Sequence, residues 1–371
     1  MLLVAALVPQ LSAAYSLNTA QLNMLLTLPL VLLGAGALLS ARILHHLSPK
    51  QAVTLGLGVI GLGSAARSFT PDFALLLACT AIFGLGVALL QVTLPAWVRS
   101  QQLEVTRATA LYTNGLLVGE LLVTASTPLL AQALGTAWKM LFLLWTLPLA
   151  GVLLAFVRQR QRQHEHTAVP PLVASLAGSA GAWRAGLRLG TLMSGSAAMY
   201  FAANAYLPRA LEASGRAALI APGLGLLNGA QLFASAGLIW LGSRALRGAY
   251  VLIGFALCAC IGFVGLVWAP AAWMLIAFAG LGGFGTAGML TLILARATHT
   301  GDPEVSRQVV TLTLFIGYTL AFALPSVGGW LADFSGRPAA ALLPPLLVGS
   351  AGCLVLGAEA LHRRRVKAQT G

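Results

Sequence analysis

Glu120 is the residue whose type and position most directly suggest chemistry. It sits at the centre of an apolar stretch, residues 108–132, and no other acidic or basic side chain lies so deep in such a stretch. A charge at mid-membrane depth costs on the order of 3 kcal/mol on insertion scales, so this carboxyl must face a wet cavity or carry a proton. Either state suits reversible proton binding or contact with a polar substrate. Thr113, Glu120, Thr124 and Thr127 follow at steps of 7, 4 and 3, which puts them on one helical face. The competing reading is a protonated side chain that only hydrogen-bonds a neighbouring helix.

Polar residues recur at helical spacing in other apolar runs. Ser196, Tyr200 and Asn204 stand at i, i+4 and i+8, and Asn228, Gln231 and Ser235 at i, i+3 and i+7. Gln308, Thr311 and Tyr318 mark a further run, and Gln91 another. Amides and phenols supply orientation in an otherwise apolar pocket. Gln91, Thr113, Thr124, Tyr200, Asn204, Asn228, Gln231 and Tyr318 are therefore read as the lining of one cavity. Taken singly, each reads first as glue between helices, at about 1 kcal/mol apiece.

Other constellations fail the context that their chemistry needs. Gly56-Leu57-Gly58-Val59-Ile60-Gly61 and Gly280-Leu281-Gly282-Gly283-Phe284-Gly285 spell a dinucleotide fingerprint, but neither follows a strand and both lie in apolar runs. Close helix packing accounts for them. Cys79, Cys258, Cys260 and Cys353 all fall in apolar runs, where thiols behave as small hydrophobes. His164-Glu165-His166 lies among arginines and reads as a solvated linker. No cofactor, metal or catalytic cluster is expected, and the chain is not read as an enzyme.

These side chains need elements to hold them, and the composition dictates which. Of 371 residues only 22 are Lys or Arg and 9 are Asp or Glu, whereas 58% are apolar. A soluble globule of this length cannot cover its surface with so few charges, but a bilayer accepts apolar side chains all round a helix. The runs are continuous, which excludes the alternation of a membrane β-barrel. Full-length spans are expected near 22–41, 51–69, 73–98, 108–132, 138–157, 187–207, 217–241, 249–268, 271–296, 307–332 and 341–361, with a short one at 1–14.

The net charge of +13 is a topology signal. With the C-terminus placed in the cytoplasm, only Arg67, Lys139, Arg209, Arg216 and Arg337 fall outside; the other 17 of the 22 basic residues fall inside. A nucleic-acid partner is not expected, because no basic face is interleaved with aromatics. Arg363-Arg364-Arg365 fits a cytoplasmic tail in contact with anionic lipid.

The longest polar connection divides the chain into halves, so an N-terminal bundle of residues 1–157, a cytoplasmic loop of 158–186 and a C-terminal bundle of 187–371 are expected. The halves match each other at an offset of about 200 residues. Ala41-Arg42-Ile43-Leu44 matches Ser243-Arg244-Ala245-Leu246, and Gly84-Leu85-Gly86 matches Gly283-Phe284-Gly285. Leu130-Ala131-Gln132 with Gly135 matches Leu331-Ala332-Asp333 with Gly336, and Pro9 matches Pro208. Pro208 follows a full span, whereas eight residues precede Pro9. The first helix therefore reads as N-terminally truncated, as a late start codon would produce; the alternative is a chain of eleven and a half spans.

Two six-span halves around a basic loop resemble the major facilitator superfamily. GLGVALLQVTLPAWV (Gly84 to Val98), ALYTNGLLVGELLVTASTPLL (Ala110 to Leu130) and IGYTLAFALPSVGGWLADFSG (Ile316 to Gly336) are similar to its cyanate-transporter-like branch, which includes nitroimidazole carriers. Ala205-Tyr206-Leu207-Pro208 is similar to the Trp-Leu-Pro ending of span seven in that branch. The Asn-Leu-Arg-Pro stretch of the branch has no counterpart and would fall in the missing segment. The signature loop between spans two and three appears as Arg42-Ile43-Leu44-His45-His46-Leu47-Ser48-Pro49-Lys50, without its acidic member.

The resemblance implies an all-α membrane protein with two pseudo-symmetric six-helix bundles. It implies a monomeric carrier in the inner membrane that moves a small anion, such as cyanate or nitrite, or a small neutral molecule by alternating access. Glu120 adds proton linkage to that expectation. The alternatives are proton-coupled efflux of a drug or metabolite and, more remotely, a membrane enzyme.

Overall fold

The computed structural model describes residues 3–4, 7–17, 19–101, 103–158, 180–246, 249–268, 271–299 and 302–355. His164-Glu165-His166 and Arg363-Arg364-Arg365 lie outside the described residues, as do the side chains of Pro9, Arg42, His45, His46, Thr124, Tyr206 and Pro208. Among the described residues the secondary structure is helical, without a strand.

In chain order the helices are α1 (Val8–Tyr15), α2 (Thr19–His46), α3 (Pro49–Ala66), α4 (Phe73–Ser100) and α5 (Val105–Leu134). Next come α6 (Met140–Arg158, interrupted at Trp145), α7 (Ala180–Ala213), α8 (Ile220–Leu241), α9 (Tyr250–Trp268), α10 (Ala272–Thr298) and α11 (Pro303–Ser335). The last is α12, 343–355, which continues a 3₁₀ turn. Among the described residues seven helices, α3, α4, α6, α8, α9, α10 and α11, are long and apolar enough to cross a membrane. Helices α2, α5 and α7 run 28, 30 and 34 residues, at least ~42 Å at 1.5 Å per residue.

Local chemistry sets the helix ends. Ser48 caps α3 in a reciprocal box: its hydroxyl accepts from the Gln51 amide, the Gln51 side chain accepts from the Ser48 amide, and Pro49 opens the first turn. The Asp72 carboxylate caps α4 through the Leu75 amide at 2.8 Å. The matched turn glycines Gly135 and Gly336 both adopt left-handed backbone, with φ of +52° and +63°, which a side chain would resist.

The chain divides into two compact units. The first comprises Met1–Leu103, Val118–Ala182 and Gly301–Phe315; the second comprises Glu104–Leu117, Trp183–Thr300 and Ile316–Gly371. Leu7, Leu11, Leu25, Leu76, Leu141 and Phe142 form a core of the first. Ala197, Ala198 and Ala321, flanked by Phe201 and Leu324, form one in the second.

Each unit contains a helix pair in backbone contact, and the contacts are the same in both. In the first unit a Cβ on Gly63 of α3 would meet the Phe83 amide nitrogen of α4 at 2.7 Å and the Cys79 carbonyl at 3.0 Å. A Cβ on Gly86 would meet Ile60 N at 2.8 Å and Gly56 O at 3.1 Å. In the second unit Gly262 of α9 faces Gly282 N and Phe278 O of α10, and Gly285 faces Ala259 N and Phe255 O. All six pairs of corresponding residues lie 199 positions apart in the sequence, so the internal match is a match of packing. Of the two dinucleotide-like glycine runs, Gly56, Gly282 and Gly285 serve these seams; Gly61 faces Leu149 and Thr146 of α6, Gly280 and Gly283 face Leu226 and Leu227 of α8, and Gly58 has open space beside it.

The first unit also buries a cation. Arg67, which follows α3, is only 2% exposed. Its guanidinium carbon lies 4.4 Å from the centre of the Phe83 ring and 4.8 Å from that of Phe142, a cation–π sandwich. Beside it the Thr70 and Tyr15 hydroxyls pair at 2.7 Å, and Lys139 Nζ donates to the Thr70 carbonyl at 3.0 Å. The ends of α1, α3 and α6 are tied together at that point.

Candidate functional site

Helices α7 and α8 bring their polar stripes together within the second unit. The two runs are otherwise rich in Ala, Gly and Leu, so their apolar faces pack and the amide-bearing faces meet. The Tyr200 hydroxyl donates to Asn228 Oδ1 at 2.7 Å. Gln231 Nε2 donates to the same oxygen at 3.3 Å. Asn228 Nδ2 donates to Asn204 Oδ1 at 3.1 Å and to the Leu224 carbonyl at 2.9 Å. Asn204 Nδ2 donates to the Tyr200 carbonyl at 2.9 Å.

Asn228 is the hub: its oxygen accepts two bonds and its nitrogen gives two. Tyr200, Asn204 and Asn228 are half-buried, while Gln231 is 5% exposed. Rings and amides fixed in this way hold their orientation without any formal charge, as recognition of a small polar molecule requires. One turn away the Ser196 hydroxyl donates to the Thr286 carbonyl of α10 at 2.9 Å. Ser235 is buried, and its hydroxyl has no hydrogen-bond partner among the described residues.

The remaining expected residues are distributed over both units. Thr113, buried on α5 in the second unit, donates to the Thr109 carbonyl and accepts from the Thr291 hydroxyl of α10 at 3.4 Å. Tyr318 is buried on α11 in the same unit. In the first unit Gln91 of α4 and Glu120 of α5 are half-buried, and Thr127 is buried with its hydroxyl unpartnered among the described residues. Glu120 falls at the middle of α5. Gln308 and Thr311 are buried in the first unit, with Nε2 and Oγ1 respectively unpartnered among the described residues.

Sequence spacing did not single out Thr291, or the Thr286 carbonyl as a partner of Ser196. The signal for both was available: small hydroxyl residues on a glycine-rich helix, where backbones approach closely enough for short side chains to reach across.

A sequence model of the Major Facilitator Superfamily matches residues 1–251. The chain belongs to the Major Facilitator Superfamily. Within that superfamily it is similar to the cyanate transport protein CynX of Escherichia coli (strain K12), 28% identical over 343 residues that cover 90% of this chain and 86% of that protein. It is similar also to the 2-nitroimidazole transporter of the same organism, 29% identical over 345 residues covering 90% and 84%. These matches place it in the cyanate- and nitroimidazole-carrier branch of the superfamily.

Solved superfamily structures share its fold. The proton:xylose symporter XylE bound to 6-bromo-6-deoxy-D-glucose matches with a TM-score of 0.77 over 96% of this chain and 91% of that one, at 12% identity. A variant of the Escherichia coli fucose:proton symporter FucP matches at 0.73 over 95% and 93%, at 17% identity. The expected all-α major facilitator fold is thus the fold found.

Proposed function

We propose that this superfamily member is a secondary transporter that moves a small, uncharged or weakly anionic, hydrogen-bonding solute across the inner membrane by alternating access. The observation that carries the reading is the Tyr200–Asn228–Asn204–Gln231 network. It offers phenol and amide groups with no fixed charge, which suits a compact molecule able both to accept and to donate hydrogen bonds. The relatives named for cyanate and 2-nitroimidazole transport support a solute of that size.

In this reading residues 1–157 and 187–371 form the two bundles, 158–186 is a cytoplasmic loop, and the tail is cytoplasmic. The carrier works as a monomer. Glu120 carries the coupling proton, and Gln91, Thr113, Thr124 and Tyr318 complete the solute path. Proton linkage is supported by a carboxyl group at the middle of α5, where holding a permanent charge is costly.

Reconstitution in proteoliposomes tests the proposal. Uptake of radiolabelled cyanate, nitrite or 2-nitroimidazole should saturate and show counterflow, as a carrier does and a channel does not. Linear, non-saturating flux of every solute, or chemical consumption of the solute without transfer, would overturn it.

A further inference from the structure

A pocket of about 300 Å³ opens in the second unit between the start of α5 and the end of α8. It is lined by Glu104, Arg107, Trp240, Leu241, Ser243 and Arg244. Glu104 caps α5, its Oε2 accepting from the Arg107 amide at 3.1 Å, and the same oxygen lies 3.5 Å from Arg107 Nε. Gly242 makes room for that pair: its φ is +55°, and a Cβ there would stand 3.0 Å from Arg107 Nε and 3.3 Å from Glu104 Oε2. Arg244, two residues further on, is exposed and has no carboxylate partner among the described residues. Trp240 is 81% exposed at the same end of α8.

Two arginines against one carboxylate leave the pocket with a charge of +1. We infer that this pocket binds the phosphodiester headgroup of an anionic phospholipid in the cytoplasmic leaflet. A phosphodiester is a monoanion, so it balances that single excess charge. Its two non-bridging oxygens suit the fork of a guanidinium, and the Ser243 hydroxyl stands on the pocket wall as a further donor. A free phosphate, largely dianionic above neutral pH, would over-neutralise the site.

The position argues for lipid. An indole that is largely exposed at the end of an apolar helix is characteristic of the membrane–water interface. The end of α8 falls on the side rich in Lys and Arg, which faces the anionic leaflet. In this arrangement the lipid chains lie along the α8 face that Trp240 occupies while the headgroup sits over Arg107 and Arg244. This binding is independent of what the protein carries.

The test uses the full-length protein in detergent, with thermal melting and native mass spectrometry read during titration with phosphatidylglycerol, phosphatidylethanolamine or inorganic phosphate. Phosphatidylglycerol should raise the melting temperature saturably and remain bound as one tight adduct; the other two should not. Arg244→Gln removes one charge-assisted contact and should weaken that binding by roughly tenfold, with Arg244→Lys falling between. Bromine-labelled phosphatidylglycerol should quench wild-type fluorescence more than that of Trp240→Phe. The inference is overturned if phosphatidylethanolamine or inorganic phosphate reproduces the shift. It is overturned equally if Arg244→Gln binds phosphatidylglycerol as the wild type does.

Discussion

The Tyr200 hydroxyl and Asn228 Oδ1 lie 2.7 Å apart, joining α7 to α8, and that oxygen also accepts from Gln231. Removing the hydroxyl leaves Asn228 with one donor and leaves the ring in place. Tyr200→Phe should therefore cost only about 1 kcal/mol of stability, a small shift in melting temperature. If the network binds solute, the same variant should raise KM about tenfold while expression stays normal. Wild-type KM with lowered melting temperature would reduce the network to helix glue.

Glu120→Gln keeps the shape and hydrogen-bonding capacity of the side chain but cannot exchange a proton. Uptake driven by an imposed pH gradient should fall to background, whereas solute exchange at equal pH on both sides should persist. Full gradient-driven uptake by the variant would remove the coupling role.

The seam glycines predict a sharp contrast between neighbouring positions. Gly262→Ala would set a methyl group against the Gly282 backbone, and Gly63→Ala would set one 2.7 Å from Phe83 N. Each should destabilise by about 1–3 kcal/mol, because backbone cannot move aside. Gly58→Ala, with no atom within 4 Å, should instead stabilise by up to ~1 kcal/mol through helix propensity. Thermal denaturation of the three variants in one detergent checks the ranking.

Much of this was legible in the chain, and the reason differs by level. Continuous apolar runs announce helices, and matched glycines announce the repeat, since packing of bare backbone requires glycine at fixed positions. The faces of α7 and α8 that carry Tyr200, Asn204, Asn228 and Gln231 follow from helical spacing alone. Which helix meets which does not, so the role of Asn228 as hub emerges only in three dimensions. Arg67 counts in the sequence as one more loop charge; its burial depends on Phe83 and Phe142, 16 and 75 residues away in the chain.

Arg67 gives a further ranking. Lysine keeps the charge but loses the flat face that stacks between the two rings, so Arg67→Lys should lose about 2 kcal/mol. Arg67→Met removes the buried charge altogether and fills similar volume, and such exchanges are often close to neutral. Melting temperatures should fall in the order Arg, Met, Lys; a lysine variant as stable as wild type would show that the stacking contributes little.

The glycine seams leave no side-chain layer between α3 and α4, or between α9 and α10. Surfaces that touch through main chain cannot slide or part without breaking many contacts at once, so each pair behaves as one plank. Any change of shape during a working cycle must then occur at the margins of the planks. Spin labels placed on α9 and α10 should keep a fixed spacing whichever side the solute enters from.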